Sequence, residues 1–70
     1  MASIRIEMDR GNGWEVRQEG ETTVTADDLT AMLPRYAIQY PHRAFIDGVL
    51  IAEAQRPHGT RGKVRLVRHD

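Results

Sequence analysis

Three histidines are the side chains of this sequence best suited to bind a metal ion. They are His42, His58 and His69. No two of them have the HxH or HxxxH spacing that directs two imidazole nitrogens to one ion. The sequence contains no cysteine, which excludes thiolate ligands and disulfide bonds. We therefore expect neither a metal site nor a cofactor.

Two adjacent carboxylates, Asp27 and Asp28, have the chemistry of an acid–base or metal-binding pair. They follow Thr25 at the start of an amphipathic stretch, where acidic side chains stabilise the positive end of a helix dipole. No Ser-His-Asp arrangement, HExxH motif or phosphate-binding glycine loop is present. A chain of 70 residues with no second layer rarely forms a catalytic cleft. We expect no catalytic residues and a non-enzymatic protein.

The basic C-terminal segment, residues 56–70, is the most distinctive feature of the composition. It carries five Arg or Lys residues and one acid, a net charge of +4, whereas residues 1–55 carry five Arg and nine acids, a net charge of −4. The asymmetry raises the question whether this segment meets a partner or is matched by acids within the fold. The candidate partner-binding residues are Arg56, His58, Arg61, Lys63, Arg65 and Arg68.

Three interpretations of this basic segment stay open. Its bases can bind nucleic-acid phosphates, meet an acidic protein surface, or be matched by acids of the first predicted hairpin. If acids of the first hairpin match the bases, we expect Lys63 and Arg65 to lie opposite sheet acids such as Glu7. Arg61 is expected in a loop without a local acid, so it would remain available to a partner.

The N-terminal third of the sequence predicts a β-hairpin. Apolar and charged side chains alternate perfectly in SIRIEMD, residues 3–9, which is the period of a strand with one buried face. RGNG supplies turn residues, and WEVRQE alternates again from Trp14. On this pattern Trp14 and Val16 are expected to point inward, as are Ile4 and Ile6.

One amphipathic helix is predicted to follow, with Thr25 as its N-cap. An apolar stripe recurs at helical spacing from Leu29 to Tyr40 and keeps its phase across Pro34. We therefore expect a single helix kinked at Pro34 and ended by Pro41.

Residues 43–55 have two interpretations. Asp47-Gly48 between apolar runs favours a hairpin, whereas IAEAQR also suits a second helix. KVRLVR, residues 63–68, is predicted to be the last strand. The expected fold class is α+β, a small antiparallel sheet of order β-β-α-β-β with an extra strand if the Asp47-Gly48 hairpin forms, covered on one face by the helix. The expected core consists of Ile4, Ile6, Trp14, Val16, Leu29, Leu33, Ala37, Phe45, Val64 and Leu66.

The whole chain, residues 1–70, is expected to be one small domain. It has no apolar run of the roughly 20 residues that a membrane helix needs and no apolar leader, so we expect a soluble, cytoplasmic protein. The predicted function is a small binding module that docks on a larger protein or complex, such as a phage- or mobile-element-encoded inhibitor or accessory factor. The alternative is a nucleic-acid-binding regulator that uses the basic segment. Because so small a core is marginal, a homodimer remains open beside a monomer.

Overall fold

A computed structural model describes residues 2–56 and 64–69. The elements are β1 (Ala2–Asp9), β2 (Trp14–Thr22), α1 (Ala26–Tyr36), β3 (His42–Ile46), β4 (Val49–Gln55) and β5 (Arg65–Arg68). All strand pairs are antiparallel, and the strands lie side by side in the order β2-β1-β3-β4-β5. The helix packs across β3, β4 and β5 on one face of this sheet. The predicted α+β class is thus confirmed, with the extra strand present.

The segment with two interpretations forms a hairpin and not a helix. Asp47 and Gly48 join β3 to β4 with positive φ angles of 51° and 80°, as the predicted tight turn requires. The turn is also fixed to the start of β1. Ser3 N donates to Asp47 Oδ1 at 3.0 Å, and Asp47 N donates to Ser3 O at 2.8 Å.

Helix α1 begins as expected but ends earlier than its apolar stripe. Asp28 N donates to Thr25 Oγ1 at 3.1 Å, which confirms the N-cap. The helix continues through Pro34 and ends at Tyr36, so the prediction that it extends to Tyr40 is wrong. Pro34 cannot donate a backbone hydrogen bond to the preceding turn, and this weakens the last turn of the helix. Residues 37–39 are turns. Among the described residues no helix is long and apolar enough to cross a membrane.

The core lies between α1 and the sheet. Five of the predicted core residues are buried there: Ile4, Ile6, Leu29, Leu33 and Ala37. The strands contribute three further buried side chains that were not predicted, Ala44, Ala52 and Ala54. Because these side chains are small, the helix can approach β3 and β4 closely. His42 is buried beside them.

The other five residues of the predicted core are not fully buried. Trp14, Val16 and Leu66 are exposed, and Phe45 is half-buried on the sheet face away from α1. Val64 is half-buried and packs against the core. Leu66 faces the helix side but belongs to the edge strand β5, where the helix covers little.

A β-bulge explains why Trp14 and Val16 were misplaced. The register of β1 and β2 shifts between Ile6 and Glu7, so that Ile6 pairs with Gln18 but Glu7 pairs with Val16. Arg17 is therefore an extra residue in β2. One extra residue transfers the preceding side chains of a strand to the other face of the sheet.

Candidate functional site

The candidate site is the sheet face opposite α1, called here the open face. No helix of the described chain covers it. Side chains reach it from β1 and β3, where the residues that alternate with the buried ones point to this side. They also reach it from β2, where Val16 and Trp14 pair with Glu7 and Asp9 of β1. Its central residues are Arg5, Glu7, Trp14, Val16, Arg43 and Phe45.

Aromatic rings and guanidinium groups alternate in a row along the open face. The Arg43 guanidinium carbon lies 4.2 Å from the Trp14 ring centroid and 5.3 Å from that of Phe45. The Arg5 guanidinium carbon lies 4.5 Å from the Phe45 ring centroid. All three distances are within cation–π range. This cationic row, defined as Trp14, Arg43, Phe45 and Arg5, is therefore held together by its own contacts.

Glu7 contacts both arginines of the cationic row and holds them in place. Arg43 Nε donates to Glu7 Oε1 at 2.6 Å, and Arg5 Nε lies 3.2 Å from Glu7 Oε2. The second contact is an ion pair without hydrogen-bond geometry, because Arg5 Nε is buried and makes no hydrogen bond. The Glu7 side chain is only 12% exposed, so its carboxylate is held in place and one of the two positive charges above it is neutralised.

A groove of about 210 Å³ lies at one end of the open face. The starts of β2, β3 and β5 and the end of β4 meet there. Its lining residues are Trp14, Pro41, His42, Glu53, Ala54, Gln55, Arg65 and Val67. Glu53 is engaged, since its Oε2 lies 2.8 Å from His69 Nε2. The groove therefore combines apolar walls with a cation at its rim.

His42, one of the three histidines considered as metal ligands, is buried, and its sequence context did not indicate this. Its Nδ1 lies 2.8 Å from Tyr40 O and its Nε2 lies 2.8 Å from Arg17 Nη1. This geometry fits a neutral imidazole that donates from Nδ1 to the carbonyl and accepts at Nε2 from Arg17. Burial lowers the pKa of His42 below the ordinary 6.5, and the positive charge of Arg17 lowers it further, against the raising effect of the bond to Tyr40.

Arg17 also contacts the end of the helix. Its guanidinium carbon lies 4.8 Å from the Tyr36 ring centroid, and Tyr36 stacks on His42 at 5.9 Å. The bulge residue thus connects β2 to β3 and to the last turn of α1. This contact supports the strand that carries Trp14.

The predicted partner-binding residues are distributed over several places. Arg65 lines the groove, and Arg56 is exposed just after β4. Arg68 lies on the helix side of β5, where its Nη2 is 2.7 Å from Asp27 Oδ1. His58, Arg61 and Lys63 lie outside the described residues, so the expectations for them stay predictions.

The predicted pairing of Arg65 with Glu7 is wrong. Strand β5 pairs with β4, and Arg65 lies opposite Gln55. Both β3 and β4 separate it from β1, and Glu7 is engaged by Arg5 and Arg43 instead. Strand order depends on contacts between distant parts of the sequence, which alternation within one strand does not reveal.

The open face offers a rigid aromatic and cationic surface beside a small groove, which suits the binding of another molecule. Within residues 2–56 and 64–69, no three His, Asp or Glu side chains are grouped closely enough to hold a metal ion. Comparisons with protein-family models, with curated proteins and with solved structures gave no match.

Proposed function

We propose that the protein is a non-enzymatic binding module that docks on a larger protein or complex through its open face. The observation that carries the proposal is the cationic row on a face that no described helix covers. Trp and Arg are the residues most enriched among those that dominate binding energy at protein interfaces. Because Glu7 and the ring contacts already fix these side chains, little rotamer entropy would be lost on docking.

The size of the groove supports docking in preference to catalysis. At about 210 Å³ it is smaller than the roughly 300–1,000 Å³ typical of small-molecule sites. It is large enough for one or two side chains of a partner. An accessory factor or an inhibitor of the partner complex, acting in the cytoplasm and encoded by a phage or mobile element, remains the proposed biological class.

The alternative partner is nucleic acid, and one observation favours it. Alternating rings and guanidinium groups on a sheet can stack on unpaired bases. The acidic side chains near the cationic row favour a protein partner. Glu7 contacts both arginines of the row, and Glu19 lies opposite Arg5 in the register of β1 and β2. Phosphates would therefore approach carboxylates as well as guanidinium groups.

Comparative capture from the native host cells tests the proposal. Tagged wild-type protein and Trp14→Ala are crosslinked in cells, and the recovered partner is then purified and titrated against both. Loss of a dominant interface residue costs at least about 2 kcal/mol, so we expect Trp14→Ala to weaken binding roughly 30-fold or more. Circular dichroism verifies that the variant is folded.

The matched control is Ile38→Ala. Ile38 is 59% exposed in the turns after α1 and lies outside the open face. This variant removes an apolar side chain that is fractionally more exposed than that of Trp14 and should bind like the wild type. Equal binding by Trp14→Ala and the wild type would refute docking through the open face.

A further inference from the structure

We infer that the groove beside Trp14 receives an acidic segment of the partner, with a carboxylate opposite Arg65 and an adjacent apolar side chain between Trp14 and Val67. This inference rests on the proposed function and adds the chemistry of the segment that docks. The charges and the walls of the groove support it separately.

The cations around the groove are the first argument. Arg5 and Arg43 share Glu7, and Arg68 pairs with Asp27 on the other side of the sheet. Arg65 makes no ion pair within the described residues, although it lines the groove. Arg56 is likewise exposed without an ion pair there, one residue beyond the groove-lining Gln55.

Glu53, the acid that lines the groove, makes no ion pair with Arg65. Glu53 lies opposite Arg43 and Val67 in the neighbouring strands, and its Oε2 is engaged by His69 at 2.8 Å. The guanidinium of Arg65 is therefore available at the rim. A guanidinium binds a carboxylate through two parallel hydrogen bonds, which gives both strength and orientation.

The walls of the groove are the second argument. Trp14, Pro41 and Val67 are apolar residues that line it. Trp14 is 37% exposed and Val67 is 46% exposed, so both have apolar area to offer. Inserting an apolar side chain here would remove this area from water, and the neighbouring carboxylate would set its position. The combination selects an acidic residue next to an aliphatic one.

Peptide titration tests the inference directly. The probes are three Trp-free ten-residue peptides in which Leu alternates with Glu, with Gln or with Lys. Trp14 is the only tryptophan of the protein, so its emission and its indole N–H resonance report binding at the groove. We expect the Glu peptide alone to shift both signals at submillimolar concentration.

Two variants locate the carboxylate. Arg65→Gln should weaken binding of the Glu peptide about tenfold or more, because it removes a charge-assisted pair. Arg35→Gln is the matched control, since it removes the same charge from the exposed last turn of α1, on the opposite side of the sheet, and should bind within about twofold of the wild type. Equal loss in both variants would show an unspecific charge effect and overturn the inference.

The remaining outcomes identify other occupants or refute the site. Tight binding of the Gln or Lys peptide, or no signal from the Glu peptide at roughly 1 mM, would overturn the inference. So would oligothymidylate binding with a steep salt dependence, which indicates nucleic acid. A sedimentation mass above 8.0 kDa that Arg65→Gln abolishes would make a second copy the occupant. If partner binding requires Trp14 but tolerates Arg65→Gln, the docking function stands and the acidic preference fails.

Discussion

The contact between Glu7 and Arg43 should couple their contributions to stability, whereas Glu7 and Arg65 should act independently. Glu7 Oε1 accepts from Arg43 Nε at 2.6 Å, and the two side chains are 12% and 27% exposed. A hydrogen bond between charged groups contributes about 1.5–3 kcal/mol, and exposed pairs contribute about 0–1 kcal/mol. For this partly buried pair we expect a coupling free energy of about 1–2 kcal/mol.

The expected coupling of Glu7 to Arg65 follows from the strand order. Three strand spacings separate β1 from β5, which places the two backbones about 14 Å apart. This exceeds the screening length of about 8 Å at physiological ionic strength. Residues so far apart without a shared partner contribute additively, so we expect their coupling to lie within roughly 0.5 kcal/mol of zero.

Two double-mutant cycles measure these couplings. One combines Glu7→Ala with Arg43→Ala, and the other combines Glu7→Ala with Arg65→Ala. Urea unfolding followed by far-ultraviolet circular dichroism gives the free energy of unfolding for each protein, and it does not depend on the fluorescence of Trp14 beside Arg43. A coupling near zero in the first cycle, or above 1 kcal/mol in the second, would refute the strand order argued here.

Two further predictions concern the buried residues. Because folding lowers the pKa of His42, the unfolded chain takes up a proton at higher pH than the folded one. The free energy of unfolding should therefore keep its full value above pH 6.5 and decrease below it, by at most about 1.4 kcal/mol per pH unit. Urea unfolding between pH 7.5 and 5 measures this slope, which a folded His42→Gln variant should lack; equal slopes would contradict the assignment. Leu33→Ala should cost about 2–5 kcal/mol because Leu33 is fully buried between α1 and the sheet, and an unchanged melting temperature would contradict that packing.

Local signals in the sequence were sufficient for most of the fold. Thr25 followed by two aspartates specified the helix start, and Asp47-Gly48 specified the second hairpin, because each depends on residues within one turn. The helix end was misjudged because the stripe up to Tyr40 reflects burial, whereas Pro34 determines how far the backbone hydrogen bonds continue.

The candidate site depended on contacts that local patterns do not contain. Arg65 was correctly placed in the last strand, but its neighbours were misjudged because β5 joins the sheet beside β4. No local pattern in the sequence indicated that His42 is buried. Its burial follows from the position of β3 in the middle of the sheet, where Tyr40 O and Arg17 satisfy both ring nitrogens.

The bulge at Arg17 links the two features that the sequence did not reveal. If the pairing of Ile6 with Gln18 continued without interruption, Val16 would lie opposite Met8 on the helix side, and Trp14 would point the same way. The extra residue instead places both side chains on the open face, and Arg17 itself reaches His42 and Tyr36 beneath the sheet. A bulge leaves its extra residue outside the ladder, and these contacts stabilise it. The exposed tryptophan and the buried histidine contact are therefore two consequences of a single residue, so a variant that removes Arg17 should disturb the open face and the core together.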